Sequence, residues 1–190
     1  MSNESDTYDI EEIGFYWYKY GCENHDPSYV RFLAHWMAFN WLYSEEYDSL
    51  ESNTETALIR RYVFRHIDLL ERVTDFRDQM YKPLLREKVE GMGLWKYDNS
   101  LETDWPEINY RDLCNENLPK KRRILALFMT MYQVRCNLFH GQKNPNCARD
   151  RELVNATAII LEHYLGAIVP DDFKIKNNLS IDKTLFPHIN

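Results

Sequence analysis

An arginine and a histidine lie five positions apart near the end of an apolar segment, at Arg135 and His140 in VRCNLFHGQK. The guanidinium is a planar fork of donors that fits phosphate oxygens and keeps its charge at any working pH. The imidazole titrates near neutrality, so it can accept a proton and return it. Together the two side chains suit phosphate-ester chemistry, and both are candidate catalytic residues.

Helix geometry limits how these side chains can meet. Five residues of ideal helix correspond to about 140° of rotation and a rise of about 7.5 Å, so on one straight helix the pair diverges. The pair can converge if the helix frays at Phe139, and Gly141 is the residue expected at such an end. Two plainer interpretations stay open: His140 as a C-terminal cap, and Arg135 as the partner of a carboxylate on a neighbouring helix.

Four further side chains are candidate RNA or phosphate ligands, namely Asn137, Lys143, Lys120 and Lys121. Asn137 and Lys143 would add a hydrogen bond and a second positive charge beside the arginine and histidine. The other two lysines belong to the basic run PKKRR, and Lys121 lies about 21 Å before Arg135 along an ideal helix. Such a run can steer RNA, or it can be the solvated start of a helix, and the sequence favours neither.

Length and composition describe an ordinary globular chain. Its 190 residues are enough for one domain with a sizeable core, and 44% hydrophobic with 28% charged residues excludes a disordered chain. No apolar run is long enough for a membrane span, and the acidic N-terminus MSNESDTYDIEE is unlike a signal peptide. We therefore expect a cytoplasmic protein without a membrane partner.

Metal and disulfide chemistry is not expected. The four cysteines, Cys22, Cys114, Cys136 and Cys147, follow neither a disulfide pattern nor a zinc pattern. Cys22 with His25 supplies two ligands, whereas structural zinc usually takes four. We expect neither a metal nor a cofactor.

The charge is unevenly distributed around a net value of −7. Residues 1–55 hold 12 acidic and two basic side chains, which leaves 18 acidic and 21 basic side chains in the remainder, a net of +3. A polyanion such as RNA should therefore meet the C-terminal two thirds. The alternative is that the acidic segment is a solvated face that aids solubility. The aromatic stretch FYWYKY lies in the acidic part, which favours a core or dimer seam over base stacking.

Apolar residues recur at helical spacing, so the sequence predicts an all-α protein, an antiparallel bundle of about five helices. The expected organisation is an acidic and aromatic segment with a short helix (1–25), a helical domain (26–170) and a polar tail (171–190). The four longer helices are expected from about residues 26 to 46, from 52 past 73, from 119 to 139 and from 146 to 168. Residues 91–118 should form a long irregular excursion or contain a short helix.

Local signals mark some helix ends. Asp26 and Pro27 suit the start of the second helix, because the carboxylate accepts free amides and proline fits the first helical position. Ser52 and Glu55 have capping-box spacing at the start of the third helix. Pro83 should kink or divide that helix.

Around its arginine and histidine the sequence resembles the HEPN superfamily. The signature of that family is an arginine and a histidine separated by four to six residues, and VRCNLFHGQK has four. The following RELVNATAIILEHYL and the earlier FLAHWMAFNWLY, an aromatic helix with an embedded asparagine, are similar to the layout of the family. The resemblance covers about residues 28–168, and its specific part is the ten residues around the arginine.

The resemblance implies a helical bundle that dimerises, with the arginines and histidines of two protomers lining one cleft. It implies metal-independent RNA cleavage, in which a ribose 2′-hydroxyl attacks the adjacent phosphorus. His140 would be the general base or acid, and Arg135 would hold the phosphate and its growing negative charge. The implied setting is prokaryotic defence or a toxin–antitoxin pair, and the implied partners are RNA, a second copy and a cognate antitoxin protein.

One position departs from the pattern of the family. Many active members have a polar residue, often Asn or Asp, directly after the arginine, where this chain has Cys136 and then Asn137. On a helix Asn137 points about 100° away from Cys136. The alternative function is therefore a non-catalytic helical dimer that binds RNA, a nucleotide or a protein through Arg135, Lys143 and the basic run. A purely structural dimer is a third possibility.

Overall fold

The computed structural model describes residues 12–24, 28–47, 51–90, 104–141, 143 and 146–179. Every regular element in these ranges is helical, which confirms the all-α class. The elements are α1 (Ile13–Glu23), α2 (Ser28–Ser44), α3 (Glu55–Arg65), α4 (Ile67–Val73), a 3₁₀ helix (Gln79–Tyr81), α5 (Lys82–Arg86), α6 (Trp105–Cys114), α7 (Lys120–Phe139), α8 (Ala148–Ile168) and α9 (Asp171–Lys176). None of these helices is long and apolar enough to cross a membrane.

The two longest helices have the ends that the sequence predicts. Pro119 directly precedes α7, and Gly141 beyond its end has a φ of 70°, the left-handed conformation expected of a terminating glycine. Helix α8 ends two residues before Pro170, because proline cannot continue a helix. Inside α8, the buried stripe includes Leu153, Thr157, Ile160, Leu161 and Tyr164, as its helical spacing predicts.

Helix α2 lies against α1, α3 and α8 and supplies much of the aromatic core. Its buried rings are Phe32, Trp36, Phe39 and Tyr43. The ring of Phe39 packs against Phe128 of α7 at 5.3 Å and Tyr62 of α3 at 5.5 Å between centroids. Leu33 and Met37, which share helical spacing with Trp36, are exposed instead. The apolar surface of α2 therefore extends beyond the core.

The start of the third predicted helix differs from the expected capping box. The N-cap is Thr54, whose hydroxyl accepts a hydrogen bond from the backbone amide of Ala57 at 3.3 Å. Ser52 lies outside the helix, so its assignment as the cap was wrong, although Glu55 does lie in the first turn. The predicted cap of the second helix, at Asp26 and Pro27, falls outside the described residues.

The third predicted helix is divided into several pieces. His66 is the C-cap of α3 and the N-cap of α4, with φ −102° and ψ 14°. Pro83 lies in the first turn of α5, where the backbone N–H that proline lacks would have no partner within the helix. It therefore begins a new helix and does not kink an existing one. The division lets the chain cover α7 and α8 with short segments.

Part of the segment expected to be irregular is helical. Asp104 caps α6 by accepting a hydrogen bond from the amide of Glu107 at 3.0 Å, and Pro106 lies in the first turn. These residues form a standard helix start that the sequence contains as DWPE. Helix α6 packs mainly on α7, and residues 91–103 lie outside the described part of the chain.

Gly21 allows α1 to approach α2 closely. A Cβ atom at this position would lie 2.4 Å from the Cδ2 and Nε2 atoms of the His35 ring. That ring is fully buried, and its Nδ1 donates a hydrogen bond to the carbonyl oxygen of Ala158 at 3.2 Å, since a carbonyl can only accept. The ring therefore has little room to move away.

We expect Gly21→Ala to lower the free energy of unfolding by about 1–3 kcal/mol, because the added methyl group overpacks a buried contact. Chemical denaturation followed by circular dichroism measures this difference. Glu23→Ala, at an exposed position of the same helix, is the control and should change stability by less than about 0.5 kcal/mol. Equal stability of the two variants would contradict the close approach of α1 and α2.

Candidate nucleic-acid site at the end of helix α7

Arg135 lies in the last third of α7 with its side chain 25% exposed. Its Nη1 lies 3.3 Å from Oε2 of Glu55 in α3, and its Cζ lies 4.7 Å from the ring centroid of Phe139. A weak contact joins the same nitrogen to the Cys136 sulfur at 3.9 Å. Within the described residues Nε has no hydrogen-bond partner. The Nε atom is buried, so the donors left for a ligand are those of Nη2, which has no partner within the described residues.

The carboxylate that faces Arg135 has a second partner. The hydroxyl of Tyr43 donates a hydrogen bond of 2.6 Å to Oε1 of Glu55. Burial, together with this hydrogen bond to the carboxylate, raises the pKa of Tyr43 well above its ordinary value, so the hydroxyl stays a donor. Glu55 therefore still accepts the hydrogen bond from Tyr43 when a ligand replaces its carboxylate beside Arg135. Partly exposed ion pairs contribute only about 0–1 kcal/mol, which makes this exchange inexpensive.

His140 is exposed at the C-cap of α7. Its amide donates to the Cys136 carbonyl at 3.0 Å, and the Gly141 amide donates to the Leu138 carbonyl at 3.1 Å. The helix is thus intact through Phe139, and the fraying that would bring the candidate pair together within one chain is absent. On this continuous helix the side chains of positions 135 and 140 project about 140° apart.

Asn137 points into the protein. It is buried, its Nδ2 donates to the Glu90 carbonyl at 2.7 Å, and its Oδ1 accepts from Nε2 of Gln133 at 2.7 Å. The amide thus ties α7 to the segment that follows α5. Within one chain it supports the position of α7 and does not face the surface that carries His140.

Lys143 is also engaged internally. Its Nζ lies 2.9 Å from Oδ1 of Asp150 in the first turn of α8, and the two side chains are 6% and 12% exposed. The positive charge of Lys143, which was expected beside the arginine, is therefore neutralised by Asp150 in a largely buried ion pair. The pair connects the loop after α7 to the start of α8.

The basic run begins the opposite end of α7, about 30 Å from His140 along the helix axis. Lys120 and Lys121 are exposed, and Nζ of Lys120 donates to the Glu71 carbonyl. Arg122 pairs with Asp112 at 2.9 Å. The run is therefore partly neutralised and is remote from the candidate pair.

One group of residues has metal-ligand chemistry within the described part of the chain. Cys22, His35 and Glu162 bring their ligand atoms within 4.8 Å of one another. Arg31 donates two hydrogen bonds to Oε2 of Glu162, at 2.8 and 2.6 Å, so the one carboxylate is already neutralised. Burial raises the pKa of the Cys22 thiol to about 12, which favours the protonated form that does not bind metals. We interpret the group as a structural polar network; His25 lies outside the described residues.

A cavity of about 390 Å³ opens between α3, α6 and α7, next to Glu55. Its lining residues are Thr56, Ala57, Arg60, Trp105, Asn109, Met129, Tyr132 and Gln133. The cavity is not predicted from the sequence, because its α6 wall belongs to the segment expected to be irregular. The capping signal of DWPE is the sequence feature that points to this wall.

Comparisons of the chain with protein-family models, with curated proteins and with solved structures find no match. The likeness to the HEPN superfamily therefore depends on the residues of the motif.

We expect Lys143→Met to destabilise the protein by about 3 kcal/mol, because it removes one partner of a largely buried ion pair. Thermal denaturation at neutral pH measures this loss. Lys121→Met removes the same charge at an exposed position and should leave the melting temperature nearly unchanged. An unchanged melting temperature for the Lys143 variant would show that this lysine is not structural.

Proposed function

We propose that this chain is a HEPN-type protein that binds single-stranded RNA and cleaves it without a metal ion. The observation that carries the proposal is an exposed imidazole at the end of α7, about one and a half turns from a guanidinium whose Nη2 has no partner within the described residues. An imidazole that can accept and return a proton and a permanent cation are the two groups that such a cleavage requires.

The proposed active form is a homodimer, because one chain holds its arginine and its histidine on different sides of a straight helix. Two α7 ends that face one another would place the imidazole of one copy beside the guanidinium of the other. Phe139, between the two positions, is 55% exposed. An exposed aromatic ring at this point supports contact with a second copy or with RNA bases.

The chemistry assigned to the dimer needs no group beyond these side chains. The imidazole of His140 takes the proton of a ribose 2′-hydroxyl, and the oxygen attacks the adjacent phosphorus. The bond to the 5′-oxygen breaks, that oxygen receives a proton from an imidazolium, and a 2′,3′-cyclic phosphate is left. Arg135 neutralises the extra charge on the phosphoryl oxygens in the transition state.

A second candidate is a non-catalytic dimer that binds RNA through the same surface. The observation that favours it is the environment of the residues after the arginine: Cys136 is buried and Asn137 is internally hydrogen-bonded. No polar side chain directly follows the arginine to assist a reaction. A cytoplasmic role in defence or as a toxin, with an antitoxin protein as partner, belongs to the proposal through the family resemblance.

We expect the purified protein to cleave labelled single-stranded RNA in the presence of EDTA. His140→Ala and Arg135→Ala should each reduce the rate at least about 100-fold, since proton transfer by a positioned group contributes that much or more. Circular dichroism would verify that both variants are folded, and Arg72→Ala, at an exposed position of α4, is the control. Cleavage that survives in both variants would remove these residues from the mechanism, whereas binding without product would favour the second candidate.

We expect Glu55→Gln to increase RNA affinity up to about fivefold, because a competing charge worth about 1 kcal/mol is removed from Arg135. The glutamine oxygen can still accept the Tyr43 hydrogen bond. Fluorescence anisotropy in a His140→Ala background, which avoids cleavage, measures the dissociation constant. Glu23→Gln makes the same charge change at an exposed position of α1. Weaker binding by the Glu55 variant than by this control would contradict the exchange.

A further inference from the structure

The cavity beside Glu55 contains a cation, Arg60, for which the described residues supply no carboxylate partner. Within the described parts of the chain, Arg60 has the ring of Trp105 as its neighbour, with Cζ 5.5 Å from the centroid, and it has no ion pair. Trp105 itself is 53% exposed. An exposed indole with a guanidinium over one face offers a surface for stacking and a charge for a phosphate.

Two amide side chains in the same cavity have hydrogen-bonding capacity to spare. Asn109 is half-buried and has no hydrogen bond within the described residues. Gln133 uses its Nε2 on Asn137, which leaves its Oε1 to accept from a ligand. Amides of this kind can match the donors and acceptors on the edge of a nucleobase.

The position of the cavity relates it to the candidate pair. Thr56 in its wall directly follows Glu55, whose carboxylate contacts Arg135. Gln133 and His140 are seven residues apart on α7, which places them within about 20° of the same helix face and about 10.5 Å apart. The cavity and the imidazole therefore lie on one side of α7, close enough for neighbouring nucleotides of one strand.

We propose that this cavity holds one nucleobase of single-stranded RNA, stacked on Trp105, while Arg60 holds the adjoining phosphate. This inference rests on the proposed RNA substrate. A volume of about 390 Å³ lies within the range of small-molecule sites, ~300–1,000 Å³. A paired and stacked base cannot enter a cavity between helices, so the site selects unpaired RNA. The strand is thereby positioned relative to His140, and Trp105 and Arg60 are assigned as specificity residues.

The test measures binding of a short labelled single-stranded RNA to the full chain carrying His140→Ala, by fluorescence anisotropy at several salt concentrations. Adding Trp105→Ala should weaken binding about tenfold or more, since stacking on an aromatic ring contributes that much. Trp105→Phe retains a ring and should recover most of the loss. Arg60→Ala should weaken binding and also lower the salt dependence, because a phosphate contact is removed.

Matched controls exist for both residues. Phe64→Ala truncates a ring of α3 that is 57% exposed, and Arg72→Ala removes another arginine without a carboxylate partner within the described residues. Neither lines the cavity, so both should bind RNA as the parent does. Affinities of the Trp105 and Arg60 variants that match these controls would overturn the proposal.

Binding of adenosine monophosphate, measured by calorimetry, separates this inference from the proposed ribonuclease activity. Binding that is lost with Trp105→Ala in a protein that does not cleave RNA would support the cavity and overturn the ribonuclease. If the protein cleaves RNA in EDTA, and the Trp105 and Arg60 variants have the same cleavage rate and RNA affinity as the parent, the cavity proposal alone is overturned. Absence of binding to both mononucleotide and RNA would overturn the two together.

Discussion

The ring of Phe39 joins α2, α3 and α7, and the position of the candidate site depends on how these helices pack. It contacts Tyr43 within α2, Tyr62 on α3 and Phe128 on α7, at 5.1 to 5.5 Å between centroids. Phe128 continues the chain of rings to Tyr164 on α8 at 5.1 Å. Loss of one such ring from a core typically costs about 3–5 kcal/mol, so this cluster fixes α7 against its neighbours. The rotation of α7, and hence the directions of Arg135 and His140, follow from it.

A buried helix gives its terminal residues little freedom. Most positions of α7 from Ile124 to Asn137 are buried, so the helix can neither rotate nor fray without loss of core contacts. The chain leaves this helix only where Gly141 reverses its direction. The same packing that presents an imidazole to solvent therefore keeps it apart from the arginine of its own chain. One chain by itself therefore does not bring the two side chains together.

The sequence predicts what is encoded locally and misses what depends on distant partners. The ends of α7 and α8 follow from Pro119, Gly141 and Pro170, because backbone restrictions act within a few residues. The break at His66 carries no proline or glycine, so the third helix was predicted to be longer than it is. The cap of α6 was present as Asp104 with a proline two residues later, yet the composition around it suggested a loop.

The site residues show the same division. Helix periodicity alone gives the divergence of Arg135 and His140. The internal roles of Asn137 and Lys143 depend on the Glu90 carbonyl, 47 residues away, and on Asp150 in the next helix. Polar residues beside a motif look alike in a sequence whether they face a ligand or a buried partner. Only packing distinguishes the two cases.

A comparison of two arginines shows which cation is available to a ligand. Arg31 donates two hydrogen bonds of 2.6 and 2.8 Å to one oxygen of Glu162, and its side chain is largely buried. Arg135 has one contact of 3.3 Å to a carboxylate that Tyr43 already holds. Breaking the first pair would leave a charge in a poorly solvated site, whereas the second can exchange its carboxylate for a phosphate at little cost. Geometry of this kind separates a structural arginine from one that can exchange its carboxylate for another anion, although both are paired in the free protein.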